Sequence, residues 1–129
     1  MKAELTRIRM ELARTVGCPN GSRLHGYEFV APLTSDGHID AAAWRSQKEK
    51  CRVRRFWKGE PDELGALRHV GHGWRFDYDR HETNDDEPFF KLDRHRLMTG
   101  AYVSVTEHDG IQRPFRIVET IPIHETDAA

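Results

Sequence analysis

The sequence has few of the features that mark secreted or membrane-bound proteins. Its two cysteines, Cys18 and Cys51, form neither a CxxC pair nor another metal-ligand spacing. Charged residues interrupt the first fifteen positions, so we expect no secretory leader. No apolar run approaches the roughly 20 residues of a membrane-spanning helix. We therefore predict a cytoplasmic protein with no membrane partner, in which both thiols are free.

An excess of positive charge is also absent. The chain has 20 lysine and arginine residues against 21 aspartate and glutamate residues, which gives a net charge of −1. This balance argues against binding nucleic acid or anionic membrane over the whole surface, although it permits a local basic patch. The motifs GxSxG, GxxxxGK[ST], GxGxxG and HExxH do not occur. We therefore expect a binding or interaction module without a cofactor, rather than an enzyme.

The sequence does contain a series of short segments in which apolar and polar residues alternate. Such alternation is typical of strands with one buried face. Between residues 5 and 12 a helical interpretation is also open, but we favour a strand, since consecutive strands commonly pair. Asp40 is a suitable N-cap for one short helix at about residues 40–50. The pattern predicts a single mainly-β domain over residues 1–122, a small antiparallel barrel or roll of about seven short strands, and a disordered tail over 123–129.

Aromatic residues mark one predicted hairpin. Trp74, Phe76 and Tyr78 alternate with charged residues and predict a strand with an aromatic face. A two-residue turn at His72-Gly73 would place His69 opposite Phe76, so that His69 joins this face. We expect the core to contain a set of large aromatic side chains: Trp57, Trp74, Phe76, Tyr78 and Phe115.

A second hairpin is predicted near the end of the chain. The stretch HDG at residues 108–110 suits a three-residue loop, with Gly110 in the left-handed conformation. This loop sets Val103 opposite Phe115 and keeps apolar residues on one face, whereas a two-residue loop would oppose Val103 to an arginine. Because burial decides register, we predict the three-residue loop.

The segment LRHVGHGWRFDYDRHETNDD, residues 67–86, concentrates histidines and carboxylates, which are the donors that zinc prefers. A metal-dependent enzyme built on this segment is one alternative for the function. Its spacing is not that of a paired HxH or HxxxH site, so we favour a hairpin followed by a solvated acidic loop. The candidate metal ligands are His69, His72, Asp77 and His81.

The run CRVRRFWKG, which starts at residue 51, combines basic and aromatic side chains. Arginines supply phosphate contacts and aromatic rings supply stacking platforms, so a single-stranded nucleic-acid-binding small barrel is a second alternative. In the competing interpretation, arginine stems cover a sheet edge while the aromatic rings lie in the core. Four residues form this candidate site: Arg52, Arg54, Arg55 and Trp57.

Three segments resemble a family of small bacterial proteins of unknown function. They are HGYEFVAPLTSDGHIDAAAW, CRVRRFW and GAYVSVTEHDG, and the resemblance covers most of the chain. It implies a bacterial cytoplasmic protein and carries no functional residues. The sequence therefore predicts a binding module whose partner, a protein or a small molecule, it does not identify.

Overall fold

The structure is a computed structural model that describes residues 3–14, 19–70, 73–78, 87–89, 96–106 and 111–123. In these ranges, antiparallel strands close into a barrel in which each strand pairs with its neighbours in the chain, and the last strand returns to the first. The predicted mainly-β fold with one short helix is confirmed. The strands are β1 Glu4–Leu12, β2 Ser22–Leu33, β3 Arg52–Trp57, β4 Glu60–Val70, β5 Gly73–Tyr78, β6 Glu87–Phe89, β7 Tyr102–Thr106 and β8 Gln112–Pro122.

The short helix α1, Ala41–Ser46, lies between β2 and β3 and begins at the predicted cap. Asp40 Oδ1 accepts hydrogen bonds from the backbone amides of Ala42 and Ala43 at 3.0 and 3.1 Å. A 3₁₀ turn at Lys48–Lys50 follows the helix. Trp44 fixes α1 to the barrel, because its indole Nε1 donates to the carbonyl oxygen of Leu67 at 3.0 Å. In the described part of the chain, no helix has the length and apolarity that crossing a bilayer requires.

Side chains fill the interior of the barrel. An eight-stranded barrel is just wide enough to be packed in this way. Tyr27 lies at the centre of an aromatic cluster, with its ring centroid 5.1 Å from that of Phe76 and 5.1 Å from that of Phe115. Trp74, Phe76 and Phe115 are buried as predicted, while Trp57 is only partly buried against the core. The side chain of Tyr78 lies outside the described residues.

The two predicted hairpin registers have different outcomes. Val103 pairs with Phe115, as predicted, although loop residues 108–110 lie outside the described residues. In the other hairpin the prediction was wrong by two residues, because His69 pairs with Trp74 and not with Phe76. The observed register places Phe76 opposite the equally buried Leu67. A shift of two residues keeps every side chain on its face, so His69 still joins the aromatic face.

A wide bulge interrupts the pairing of β1 with β2. Glu11 pairs with Gly26, but the next residue of β1 pairs with Ser22, so three residues of β2 lie in the bulge. Ser22 Oγ and His25 Nδ1 are 2.6 Å apart and close it. The adjacent residue 26 has to be a glycine because the backbone of β1 lies very close to it. A Cβ on Gly26 would lie 2.1 Å from the carbonyl oxygen of Met10. The bulge lies within β2, which begins at Ser22.

The end of the described chain is tied to β1. The backbone amide of Ile123 donates to the carbonyl oxygen of Leu5 at 2.7 Å. Residue 123, where we predicted the tail to begin, is therefore part of the hydrogen-bonded barrel. The rest of the predicted tail, residues 124–129, lies outside the described residues.

Candidate binding site

Strand alternation divides the predicted basic site between the two faces of β3. Arg52 and Arg54 point outward, whereas Arg55 and Trp57 share the inward face with the buried Val53. Arg55 is only 4% exposed, which is unusual for a charged side chain. The four residues therefore do not form one surface.

Arg55 belongs to a charged cluster inside the barrel wall. Its Nη1 lies 3.3 Å from Glu60 Oε1 and 3.6 Å from Glu63 Oε2. Its guanidinium also lies 4.3 Å from the ring centroid of Trp57, and His25 contacts the same ring at 4.4 Å. Since a buried charge is costly unless it is paired, this cluster explains how Arg55 is tolerated. We interpret Arg55 and Trp57 as structural residues.

Arg54 lies in a row of alternating charges on the outer face of β1 to β4, which we call the charge ladder. Arg54 contacts Asp62 at 3.0 Å and Glu28 at 3.9 Å. Arg9 on β1 contacts the same Glu28 at 3.6 Å and Glu11 at 2.9 Å. Every charge in the row therefore has an opposite charge beside it. From β1 to β4, the ladder consists of Glu11, Arg9, Glu28, Arg54 and Asp62.

Phe56 forms the floor of the charge ladder. It is an outward-facing residue of β3, yet it is buried. The guanidinium of Arg9 lies 4.3 Å from its ring centroid and that of Arg54 lies 5.2 Å away. The ring extends across β2 at Gly26, where an added Cβ would lie 2.9 Å from Phe56 Cζ. The arginines of the ladder thus cover an aromatic ring and neutralise carboxylates, and neither role leaves them available to a ligand.

A different set of arginines lines a cleft of about 630 Å³ on the outer surface, where β1 meets β8. Tyr102 on β7 is 62% exposed, although aromatic residues of this size are usually buried. It pairs directly with Arg116 on β8. Arg14 and Arg23, from the connector and the bulge between β1 and β2, complete the basic lining. We call this site the tyrosine–arginine cleft and define it by Tyr102, Arg14, Arg23 and Arg116.

Among the residues that the structure describes, no carboxylate balances the charges of this cleft. Within the described ranges, Arg14, Arg23 and Arg116 make no ion pair. Glu11 is the single carboxylate among the described lining residues, and it already pairs with Arg9 in the charge ladder.

The connector that carries Arg14 is held by its own contacts. Arg14 Nε donates to the carbonyl oxygen of Pro19 at 2.7 Å. Gly21 has a φ of +72°, which favours glycine, and a Cβ there would lie 2.7 Å from the carbonyl oxygen of Leu12. The chain therefore turns tightly beside the cleft, and the hydrogen bond from Nε orients the guanidinium of Arg14.

One residue of the cleft, Tyr102, could have been identified from the sequence. Tyr102 alternates with Ser104 and Thr106 on the face of β7 opposite the buried Val103 and Val105. An aromatic residue on the polar face of a strand departs from the pattern. The three arginines are far apart in the sequence, so only the fold brings them to this tyrosine.

Of the four predicted metal ligands, the two that the structure describes point to opposite faces of the barrel wall. His69 points inward, with its ring centroid 4.4 Å from that of Trp74. Asp77 lies on the outer face and accepts a hydrogen bond from Arg68 Nη1 at 2.8 Å. His72 and His81 lie outside the described residues. Among the residues that can be described, no group of three or more histidine, cysteine or acidic side chains has a metal-binding arrangement.

Cys51 is free and buried at the start of β3. Burial, and secondly the negative charge of Glu49, raise the pKa of its thiol to about 11. The thiol is therefore protonated at neutral pH and is a poor nucleophile. Cys18 lies outside the described residues.

Comparison with known proteins found no match for this chain. The chain matches no protein-family model, no curated protein and no solved structure. The resemblance to a family of small bacterial proteins therefore stays a prediction. The fold and the cleft define a class of protein, namely a small closed antiparallel barrel with a basic, aromatic cleft on its outer wall.

Proposed function

We propose that this protein is a non-catalytic binding module that holds a segment of single-stranded nucleic acid in the tyrosine–arginine cleft. The observation that carries the proposal is the exposed ring of Tyr102 directly opposite Arg116, beside two further arginines. A nucleic-acid-binding barrel was one of the alternatives from the sequence. It is supported here by residues other than the four in β3 that the sequence suggested.

The arginines supply the contacts that a phosphate backbone needs. A guanidinium donates two parallel hydrogen bonds to a phosphate, and these bonds are strongest where no carboxylate competes. Arg14, Arg23 and Arg116 meet that condition among the described residues. Because the net charge of the chain is close to zero, we expect the rest of the surface to bind nucleic acid weakly and the cleft to supply most of the affinity.

Tyr102 supplies the contact that distinguishes a nucleic acid from another polyanion. An exposed aromatic ring stacks on a base with about 1–3 kcal/mol of stabilisation and tolerates any sequence. A single-stranded ligand is favoured over a duplex because its bases are free to stack on such a ring. The cleft contains one such ring, so we expect one stacked base and phosphate contacts on either side of it.

The proposal can be tested by fluorescence anisotropy with labelled oligo(dT) of about 12 nucleotides, a length within the usual site sizes of small barrels. Tyr102→Ala should weaken binding about tenfold, while Tyr102→Phe, which keeps the ring, should bind as the wild type does. The logarithm of the affinity should fall with the logarithm of the salt concentration with a slope of about −2, because each of three phosphate contacts contributes about −0.7.

Arg45→Gln is the matched control for the charge. Arg45 is exposed on α1 and outside the cleft, and its substitution removes the same single charge as Arg116→Gln. We expect Arg116→Gln to weaken binding several-fold and Arg45→Gln to leave it unchanged. The absence of saturable binding, or equal losses for the two variants, would show that the cleft is not a nucleic-acid site.

A further inference from the structure

A second groove lies on the other side of the charge ladder, and the proposed function does not use it. It is a cleft of about 500 Å³ between the outer faces of β8, β1 and β2. A smaller cleft of about 320 Å³, which reaches β3 and β4, shares Arg7 and Val30 with it. The two form one continuous groove, which we call the apolar groove, lined chiefly by Leu5, Val30, Leu64, Ile121, Pro122 and Ile123.

The floor of this groove is unusually apolar for the outside of a barrel. Outward-facing strand residues are normally polar when they contact water. Here Ile121 is 36% exposed and Leu64 is 55% exposed, with the partly exposed Val30 between them. Arg7 pairs with Val30 on one side and with Ile121 on the other, so a basic residue lies between apolar ones along the groove. Single exposed apolar residues need no explanation, but a group of them in one groove is typical of an interaction site.

The groove is also positively charged. Arg7 and Lys50 line it, and neither makes an ion pair with another described residue. Of the carboxylates in the lining, Glu28 is held between two arginines of the charge ladder. Glu49 is the other carboxylate among the described residues of the lining. A ligand that complements this groove therefore carries apolar groups for the floor and negative charges for Arg7 and Lys50.

The fold restricts how such a ligand can bind. β1 is hydrogen-bonded to β2 on one side and to β8 on the other, and β2 is bonded to β1 and β3. A peptide therefore cannot join the sheet at this position as an added strand. It has to bind through its side chains. In contrast to the tyrosine–arginine cleft, the lining of this groove presents no exposed aromatic ring in the described part of the chain, so bases would find no stacking surface.

From this combination we propose that the apolar groove docks an acidic peptide segment of a partner protein, with leucine- or isoleucine-like side chains on the floor and carboxylates at Arg7 and Lys50.

The test is a selection of random peptides of about ten residues displayed on phage. Purified wild-type protein and the double variant Arg7→Glu/Lys50→Glu are used side by side. We expect the wild type to enrich peptides that combine aspartate or glutamate with leucine or isoleucine. The double variant should lose these peptides, and peptides with lysine or arginine should replace them. Both residues are exposed, so circular dichroism should show that the variants fold like the wild type.

The most enriched acidic peptide is then synthesised with a fluorescent label and titrated against single variants. Arg7→Glu and Val30→Asp should each weaken its binding about tenfold or more. Arg116→Glu, a charge reversal in the tyrosine–arginine cleft, should leave peptide binding unchanged, and Arg7→Glu should leave oligo(dT) binding unchanged. The two proposals can therefore fail separately.

Several results would overturn the peptide proposal. One is enrichment of peptides without acidic residues, and another is peptide binding that survives Arg7→Glu. Binding of phosphatidylserine vesicles in place of peptides would assign the groove to a membrane surface. A dimer that Val30→Asp dissociates would assign it to a second copy of the chain.

Discussion

The charge ladder and the tyrosine–arginine cleft use the same residue type on neighbouring parts of one barrel wall, with opposite results. In the ladder, Arg9 and Arg54 have carboxylates beside them and a phenylalanine ring beneath them. In the cleft, Arg116 has an exposed tyrosine beside it and no carboxylate partner among the described residues. The first arrangement stabilises the wall, and the second leaves charge available to a ligand.

An arginine-rich run in the sequence is therefore not sufficient to predict a binding surface. The run in β3 contains three arginines within four positions, but strand alternation divides them between the two faces of the wall. Arg55 is paired inside the wall and Arg54 is paired in the ladder. The availability of an arginine depends on the carboxylates that the neighbouring strands place next to it.

The largest effect on stability is expected when the same substitution is made at a buried arginine inside the wall and at an exposed arginine in the cleft. Arg55→Ala should lower the free energy of unfolding by about 3–5 kcal/mol, because it leaves Glu63 without its partner and removes the contact with Trp57. Arg116→Ala should change the free energy of unfolding by less than about 0.5 kcal/mol. Urea unfolding measures both. Equal effects would mean that Arg55 is not a structural residue.

A second variant introduces a steric clash at the floor of the ladder. Gly26→Ala should destabilise the fold by about 2–3 kcal/mol, since the new Cβ would collide with the Met10 carbonyl oxygen and with the Phe56 ring. Gly59→Ala is the control, because Gly59 has a positive φ but nothing within 4 Å of an added Cβ. Its cost should be about 1 kcal/mol. Thermal unfolding of both variants would show whether steric contact or backbone conformation dominates.

A third prediction compares ligand binding across the two regions. Arg116→Ala should weaken oligo(dT) binding about fivefold, whereas Arg54→Ala should alter it by less than about twofold, although both remove one outer-wall charge. Anisotropy titrations at one low salt concentration measure the difference. If Arg54→Ala has the larger effect, the ladder and not the cleft contacts the ligand.

The smallest effect is expected for the stability of the ladder itself. Arg54→Gln should lower the free energy of unfolding by about 0.5–1 kcal/mol, because exposed ion pairs contribute little and the glutamine stem still covers part of Phe56. High salt should reduce the difference between the variant and the wild type. Urea unfolding at two salt concentrations provides the check, and a loss of several kcal/mol would contradict this view of the ladder.

Much of the fold could be predicted from local patterns. Asp40 marked the start of α1, and the alternation around Ile8 and Met10 indicated a strand although helical spacing competed. Val103 was correctly placed opposite Phe115. The register of His69 was wrong, because a shift of two residues preserves which face each side chain occupies. Alternation therefore cannot distinguish the two registers, and burial of Leu67 against Phe76 decides between them.

The candidate sites were less accessible to prediction. Alternation alone indicates that Arg54 and Arg55 point to opposite faces, so the division of the basic run could have been anticipated. Nothing local indicated which carboxylates would neutralise Arg54. The pairing of Arg9, Glu28 and Arg54 depends on the registers of three strands at once. The two proposed sites both lie where β1 meets elements that are distant in the sequence.

Local sequence patterns were enough to predict the strands, their buried faces and the cap of the helix, because these features depend on residues a few positions apart. The pairing of β8 with β1, which closes the barrel, is visible only in the folded structure. This closure brings Arg14 and Arg23 to Tyr102 and Arg116, and it brings Ile121 to Leu5 and Arg7. Which distant strands pair is decided by the burial of the whole core, and a local pattern contains no information about it.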